Sequence, residues 1–252
     1  NPNPSSPAPT EPVLQVKADI QYCRNSARIY RICQSQKVFN RDRSERRGFL
    51  KLLTMISRNT RMLICAEDLG TVPPCVRPTI EELGITKLLV DRWTKFVPSK
   101  KEKGMGFQEY WIDPWEYDPI SVDSPSNHDM PSLRGWWIEM GETEEGRKDR
   151  WDQFHRFGWR GEMPYQLNVG GARFILKRNL ESESVFAIFS IQDILDTHPA
   201  WQNPDPKEDR INLPGTFSDH NWSRRMSVSL DKLRDAEKFN REYASLVQKS
   251  GR

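Results

Sequence analysis

Apolar positions change their spacing once along this chain. In the first 60 residues they recur at steps of three and four. Ile20, Cys23, Ala27 and Tyr30 line one face of a predicted helix, and Phe49, Leu52, Leu53 and Ile56 line a second. From Met62 onward, short and largely apolar runs alternate with helical stretches. The runs at 62–66, 87–90, 119–122 and 185–190 predict strands, since apolar runs of this length suit strands buried on both faces of a parallel sheet. Helices are predicted over about 75–83, closed by Gly84, and over about 132–140, 144–156 and 165–180. Strand, polar turn, helix, repeated, is the grammar of a parallel β/α fold. A (β/α)8 barrel needs eight strands and about four are visible. Either further strands hide in the helical-looking region before Met62, or the chain is the second half of a barrel.

Two of the predicted strands end in carboxylates. Met62-Leu63-Ile64-Cys65-Ala66 runs straight into Glu67-Asp68, and Gly70 ends the stretch. Carboxylates at the C-terminal end of such a strand sit where α/β folds place their chemistry, although a solvated turn has the same pattern. The third run leads to Ser124-Pro125-Ser126-Asn127-His128-Asp129. A lone His-Asp pair is more often a turn with a capping Asp. A second carboxylate approaching the first from another strand end is, however, what glycosyl transfer requires. Seven of the nine Trp residues (93, 111, 115, 136, 137, 151 and 159) lie around this turn. Their flat faces suit sugar stacking, and ordinary core packing accounts for more than half of them.

Composition narrows the classes. At 252 residues, with 36% hydrophobic and 29% charged residues, the chain can bury a sizeable core. No apolar run approaches the roughly 20 residues needed to span a bilayer, so no membrane partner is expected. Cys23, Cys33, Cys65 and Cys75 lack paired Cys-x-x-Cys spacing and read as reduced thiols in a cytoplasmic protein, with no metal site and no cofactor expected. Residues 1–12 hold five Pro and read as a disordered tail or linker without a signal-peptide pattern. The chain starts on Asn rather than Met, which predicts sequence upstream. Nine Arg (24, 28, 31, 41, 43, 46, 47, 58 and 61), all but the last within residues 13–60, mark that stretch as a helical, arginine-rich region. These arginines read as a solvated face rather than an RNA surface, because i,i+4 pairing suits such a face and net charge is only +3. Nucleic acid is therefore not an expected partner.

Four motifs carry a resemblance. Cys65-Ala66-Glu67-Asp68-Leu69-Gly70-Thr71-Val72-Pro73-Pro74 resembles the Glu-Asp-Leu-Gly segment of the 4-α-glucanotransferases, the amylomaltase or disproportionating-enzyme family (glycoside hydrolase family 77). Asn127-His128-Asp129-Met130-Pro131-Ser132-Leu133-Arg134-Gly135-Trp136-Trp137 resembles that family's His-Asp turn. The segment Ala187 to Leu195 resembles its last barrel strand. Arg210-Ile211-Asn212-Leu213-Pro214-Gly215-Thr216, followed by Asn221-Trp222-Ser223-Arg224-Arg225-Met226, resembles its C-terminal closing segment. The resemblance implies an α/β fold that is the C-terminal portion of a (β/α)8 TIM barrel, with residues 61–235 the second half of the barrel and 236–252 a C-terminal helix and tail. It implies retaining transfer of α-1,4-glucan segments between maltooligosaccharides. By position, Glu67 would be the general acid/base, Asp129 would stabilise the transition state, and His128 would hydrogen-bond the sugar. A Glu at a buried strand end, shielded by aromatics, can have its pKa raised enough to donate a proton near neutrality.

One departure limits that reading. The family's carboxylate nucleophile sits in an Arg-x-Asp-His stretch on an earlier strand, and no such stretch occurs here. The sole Asp-His pair, Asp219-His220, falls in the C-terminal segment, in the wrong order. The expected partners are therefore an α-glucan and the missing N-terminal half of the barrel. The alternative is a non-catalytic glucan-binding remnant.

Overall fold

In the computed structural model of the protein, residues 42–69 and 72–252 are described, with side chains from residue 46 onward. The Pro-rich start, the predicted helix through Ile20 and Tyr30, and Arg24, Arg28, Arg31 and Arg41 lie outside the described residues. The described chain divides into two compact units, residues 42–61 with 72–83, and residues 62–69 with 84–252.

The first unit is a pair of helices. In α1 (Asp42–Arg58), Leu53 is buried and Phe49, Leu52 and Ile56 are half-buried, while Arg46, Arg47, Lys51 and Arg58 face solvent. The stripe at steps of three and four is the predicted one. α2 (Val76–Glu82) follows Pro73-Pro74 and buries Thr79 and Ile80. Pro78 falls in its first turn, where a missing N–H breaks no helical bond. Gly84 takes φ +62° just past the helix end, a conformation that glycine adopts without strain. Arg46 pairs with Glu82 at 2.9 Å across the two helices, and both are about half exposed, so the pair contributes little.

The second unit is built on a four-stranded sheet of β1 (Cys65–Ala66), β2 (Thr86–Val90), β5 (Ser121–Ser124) and β6 (Phe186–Ala187), in spatial order β1-β2-β5-β6. Every pairing is parallel, with Cys65 opposite Thr86, Leu88 opposite Val122, and Val122 opposite Phe186. A short antiparallel ribbon of β3 (Lys95–Phe96) and β4 (Tyr110–Trp111) sits between β2 and β5 in sequence, flanked by the short α3 (Lys100–Gly104). The crossovers carry α4 (Leu133–Glu142), α5 (Glu144–Arg156) and α6 (Val169–Leu180) from β5 to β6, and α7 (Ile191–Leu195), α8 (Leu230–Arg234) and α9 (Glu237–Lys249) follow. Helix starts are written into the sequence. Ser132, Thr143, Asn168 and Ser190 each accept a backbone N–H of the first turn, from Gly135, Gly146, Gly171 and Asp193. At Gly146 a Cβ would collide with the Met140 carbonyl oxygen, so only glycine lets α5 follow α4 this closely.

The core lies among α4, α5 and α6, where Leu133, Trp136, Trp137, Phe154, Leu167, Ala172, Ile175 and Leu176 pack together. Trp137 is fully buried, edge-on to Trp136, with the Arg150 guanidinium 4.3 Å from its ring centroid and its indole N–H donating to Pro164 O at 2.9 Å. Burying a side chain of this size contributes on the order of 2–3 kcal/mol. Of the seven tryptophans around the turn, Trp111, Trp136 and Trp137 are buried and Trp159 is half-buried, whereas Trp93, Trp115 and Trp151 are exposed.

The four strands differ from the predicted ones at the edges. β5 is buried at all four residues, although two are Ser and one is Asp. β1 is only two residues long, with Met62 and Leu63 about 60% exposed, at 62% and 59%. The reason is position: among the described residues β1 pairs on one side only, so the apolar run before it is not sandwiched. β6, the other edge, likewise leaves Val185, Phe186 and Ile188 exposed.

Beneath the strand ends runs a buried polar layer. Asn179 Nδ2 donates to Asp123 Oδ1 at 2.9 Å and lies 3.5 Å from Asp91 Oδ2. Burial pushes Asp91 up to about 7, with nearby Arg92 and Asn179 opposing, and burial together with the Asp91 charge pushes Asp123 well up too. Asp193 is fully buried and accepts from Ser126 Oγ at 2.5 Å and from Leu133 N at 2.8 Å, which fixes both ends of the loop after β5. Arg92, also buried, donates to Pro131 O at 3.0 Å and stacks over Trp136.

Asp193→Ala strips acceptors from a buried hydroxyl and a helix N-terminus and leaves Arg92 less compensated, so a loss of about 3–5 kcal/mol is expected. Urea unfolding followed by circular dichroism measures it, and an unshifted midpoint would refute this role for Asp193. A carboxyl whose folded pKa is raised stabilises the fold below its unfolded pKa, and that contribution is lost as pH rises through the folded value. For Asp91 the window runs from its ordinary 3.8 to about 7. Asp91→Asn should therefore melt a few degrees above the parent at pH 8 and match it near pH 4, in thermal scans at the two pH values.

Candidate functional site

Because all four strands run parallel, their C-terminal ends share one rim, where β/α folds gather functional groups. Glu67 and Asp68 follow β1, Asp91 and Arg92 follow β2, and Asn127, His128 and Asp129 follow β5. Glu67 is exposed and Asp68 is buried. The expectation of a Glu67 wrapped by aromatics is not met among the described residues, since its strand is the sheet edge. One strand separates β1 from β5, roughly 10 Å at the usual spacing.

The His-Asp turn is the most densely tied part of this rim. Asn127 Oδ1 accepts from Asp129 N at 3.0 Å, and Met130 N donates to Asn127 O at 3.2 Å, an Asx-type turn that the Asn-x-Asp spacing encodes locally. Asp129 Oδ1 accepts from Asn212 Nδ2 at 2.6 Å, and His128 Nε2 lies 3.4 Å from the same oxygen. Arg210 Nη2 donates to Asp129 O and Asn212 N donates to His128 O, both at 3.1 Å. The His128 ring meets the Trp222 ring at 5.0 Å and 40°. Both side chains of the pair stay accessible, at 44% for His128 and 38% for Asp129. A half-exposed carboxylate held by an amide and flanked by an imidazole and an indole face can hydrogen-bond a polyol and face a developing positive charge.

The partners of the turn arrive from the segment after α7. Gln192 donates to Asp209 O at 3.4 Å, Arg134 donates to Asn203 O at 2.7 Å, and Arg224 ion-pairs with the buried Asp209. Arg134 also lies 3.6 Å from Asp196, whose carboxyl is pushed up to about 8 by burial, with Arg134 opposing. By sequence this segment reads only as a closing element. Arg210, Asn212 and Trp222 nevertheless touch the turn, and the one sequence signal for them is the Arg-Ile-Asn and Asn-Trp motif pair. Asp219-His220 sits in an exposed turn of that segment. Among the described residues no group of three or more His, Cys, Asp or Glu is placed to hold a metal ion, and no helix is long and apolar enough to cross a membrane.

A parallel α/β sheet carrying this turn defines the class. The sequence model of the 4-alpha-glucanotransferase family matches residues 24–231, and the chain belongs to that family. Among relatives, the 4-alpha-glucanotransferase DPE2 of Oryza sativa subsp. japonica is 35% identical over 207 residues, covering 82% of this chain and 20% of its own length. The 4-alpha-glucanotransferase of Chlamydia muridarum is 34% identical over 197 residues, 77% of this chain and 34% of the relative. Amylomaltase from Streptococcus agalactiae in complex with acarbose superposes with a TM-score of 0.54 at 18% identity, over 79% of this chain and 34% of that one. Amylomaltase from Corynebacterium glutamicum does so with 0.54 at 18%, over 81% and 30%. The chain thus spans a fifth to a third of the relatives it matches, and its fold is an α/β portion of their barrel, corresponding to its C-terminal part.

Asn212→Ala removes a hydrogen bond to a charged group, worth about 1.5 kcal/mol. Amide exchange at Asp129 and Met130 should accelerate by about tenfold while the amides of β2 and β5 hold. Unchanged exchange at those two amides would mean that Asn212 does not hold the turn.

Proposed function

We propose that this chain carries part of the active site of a retaining 4-α-glucanotransferase acting on maltooligosaccharides, with residues 61–235 as the catalytic portion. Glu67 is the general acid/base, Asp129 holds the distorted sugar and balances the oxocarbenium-like charge, and His128 hydrogen-bonds the same sugar. The observation that carries this is the Asp129 carboxylate, held by Asn212 and flanked by His128 on the rim where Glu67 also emerges. Retaining chemistry needs a second carboxylate about 5–5.5 Å from the acid, to act as the nucleophile. In this reading that group comes from the N-terminal half of the barrel, which also covers β1 and desolvates Glu67. Until then the chain alone does not carry out double displacement. The setting is cytoplasmic starch, glycogen or maltodextrin metabolism, without a cofactor, nucleic acid or membrane.

Joining this chain to an N-terminal half bearing an Arg-x-Asp-His strand is expected to give disproportionation of maltotriose, which the isolated chain lacks. Glu67→Gln in the joined protein should lower the rate by about 100-fold or more, the usual contribution of a general acid. Product chromatography reads both, and full activity of the Glu67→Gln protein would remove Glu67 from its role. The exposure of Glu67 supports a second reading, a glucan-binding remnant without catalysis. In that case calorimetry of the isolated chain with maltooligosaccharide gives binding heat, and the joined protein gives no transfer.

A further inference from the structure

Trp222 stands apart from the other tryptophans. It is 65% exposed, and among the described residues it is the one non-glycine residue with positive φ, at +64°. Bulky L-residues rarely adopt that conformation unless the surroundings impose it. The surroundings here are a loop tied at every turn. Trp222 N donates to Ile211 O at 2.8 Å, and Leu213 N donates to Asn221 Oδ1 at 3.1 Å. Asn221 Nδ2 donates to Thr216 O at 3.2 Å, Ser223 Oγ donates to His220 O at 2.7 Å, and the Arg224–Asp209 ion pair closes the base. This scaffold does not bury the indole. It leaves the indole largely open to solvent, its ring tilted against that of His128 at 5.0 Å between centroids, and His128 is the chain neighbour of Asp129. A rigid aromatic face beside hydrogen-bonding groups is the arrangement that pyranose rings recognise, with C–H faces on the ring and hydroxyls on the polar groups.

We propose that Trp222 is a sugar-stacking platform that determines which ring of an α-glucan is held beside His128 and Asp129. The proposal rests on the glucan reading of the site. The strained backbone supplies a clean test, because glycine adopts φ +64° without strain. Trp222→Gly therefore deletes the ring while preserving the loop. The isolated full chain is titrated with maltoheptaose up to millimolar concentration by calorimetry, and by NMR of the Trp222 indole N–H, assigned through its loss in Trp222→Gly.

The expected result has three parts: the indole signal shifts with maltoheptaose, Trp222→Gly binds at least tenfold more weakly than the parent, and its thermal stability is equal or higher. A purely structural role for Trp222 would instead lower stability and leave the indole signal unmoved by sugar, and that overturns the proposal. If the parent binds, His128→Ala weakens binding and Trp222→Gly does not, the platform is refuted while the glucan reading stands. If the parent shows neither heat nor shifts, both fall. Should Trp222→Gly fail to fold, Trp222→Phe assigns the indole signal by its loss, and the parent's indole shift still decides between the first two outcomes.

Discussion

A fully buried carboxyl group must be surrounded by partners, and the rim of this molecule is organised around one, the side chain of Asp193. It takes the Ser126 hydroxyl on one side and the Leu133 amide on the other, so the loop that carries His128 and Asp129 leaves and re-enters the fold at fixed points. Arg92, from the end of β2, holds the same loop through Pro131. Three elements that are far apart in sequence therefore set one turn. A pair of polar side chains on a surface loop would otherwise sample many positions. Here the cost of ordering them is met by buried contacts a few residues away, which is what preorganised sites require.

The acids of this protein fall into two layers with opposite physics. Asp91, Asp123 and Asp196 lie behind the rim, where burial raises their proton affinity and Asn179 or Arg134 limits the rise. Glu67 and Asp129 lie in front, where solvent still reaches them. A search guided only by perturbed carboxyls would select the rear layer. Its partners are an amide, a core guanidinium and helix ends, which is the signature of a structural network and not of a substrate site.

Much of the architecture was legible from periodicity. The switch from steps of three and four to short apolar runs separates α1 from the sheet, and the cap residues Ser132, Thr143 and Asn168 locate the helices that fill the crossovers. At β1 the apolar run reports a preference for burial, while actual burial depends on what pairs at the sheet edge. β5 is buried as expected of a central strand, yet through polar residues: Ser121, Asp123 and Ser124 hydrogen-bond with Ser184, Asn179 and the Ser126 carbonyl. The tie between Asn212 and Asp129 spans 83 residues, so no local pattern encodes it. The roles proposed for His128 and Asp129 come from motif resemblance, whereas the groups that hold these residues are visible only in three dimensions.

Among the described residues the sheet adds no strand beyond β1 or β6, and these two edges also bear on how the protein behaves as a colloid. Beside them Met62 and Leu63 at one end and Phe186 and Ile188 at the other are exposed and offer apolar contact. A net charge of +3 spread over 252 residues supplies little long-range repulsion between copies. Contact between copies through those edges would therefore respond to concentration more than to ionic strength.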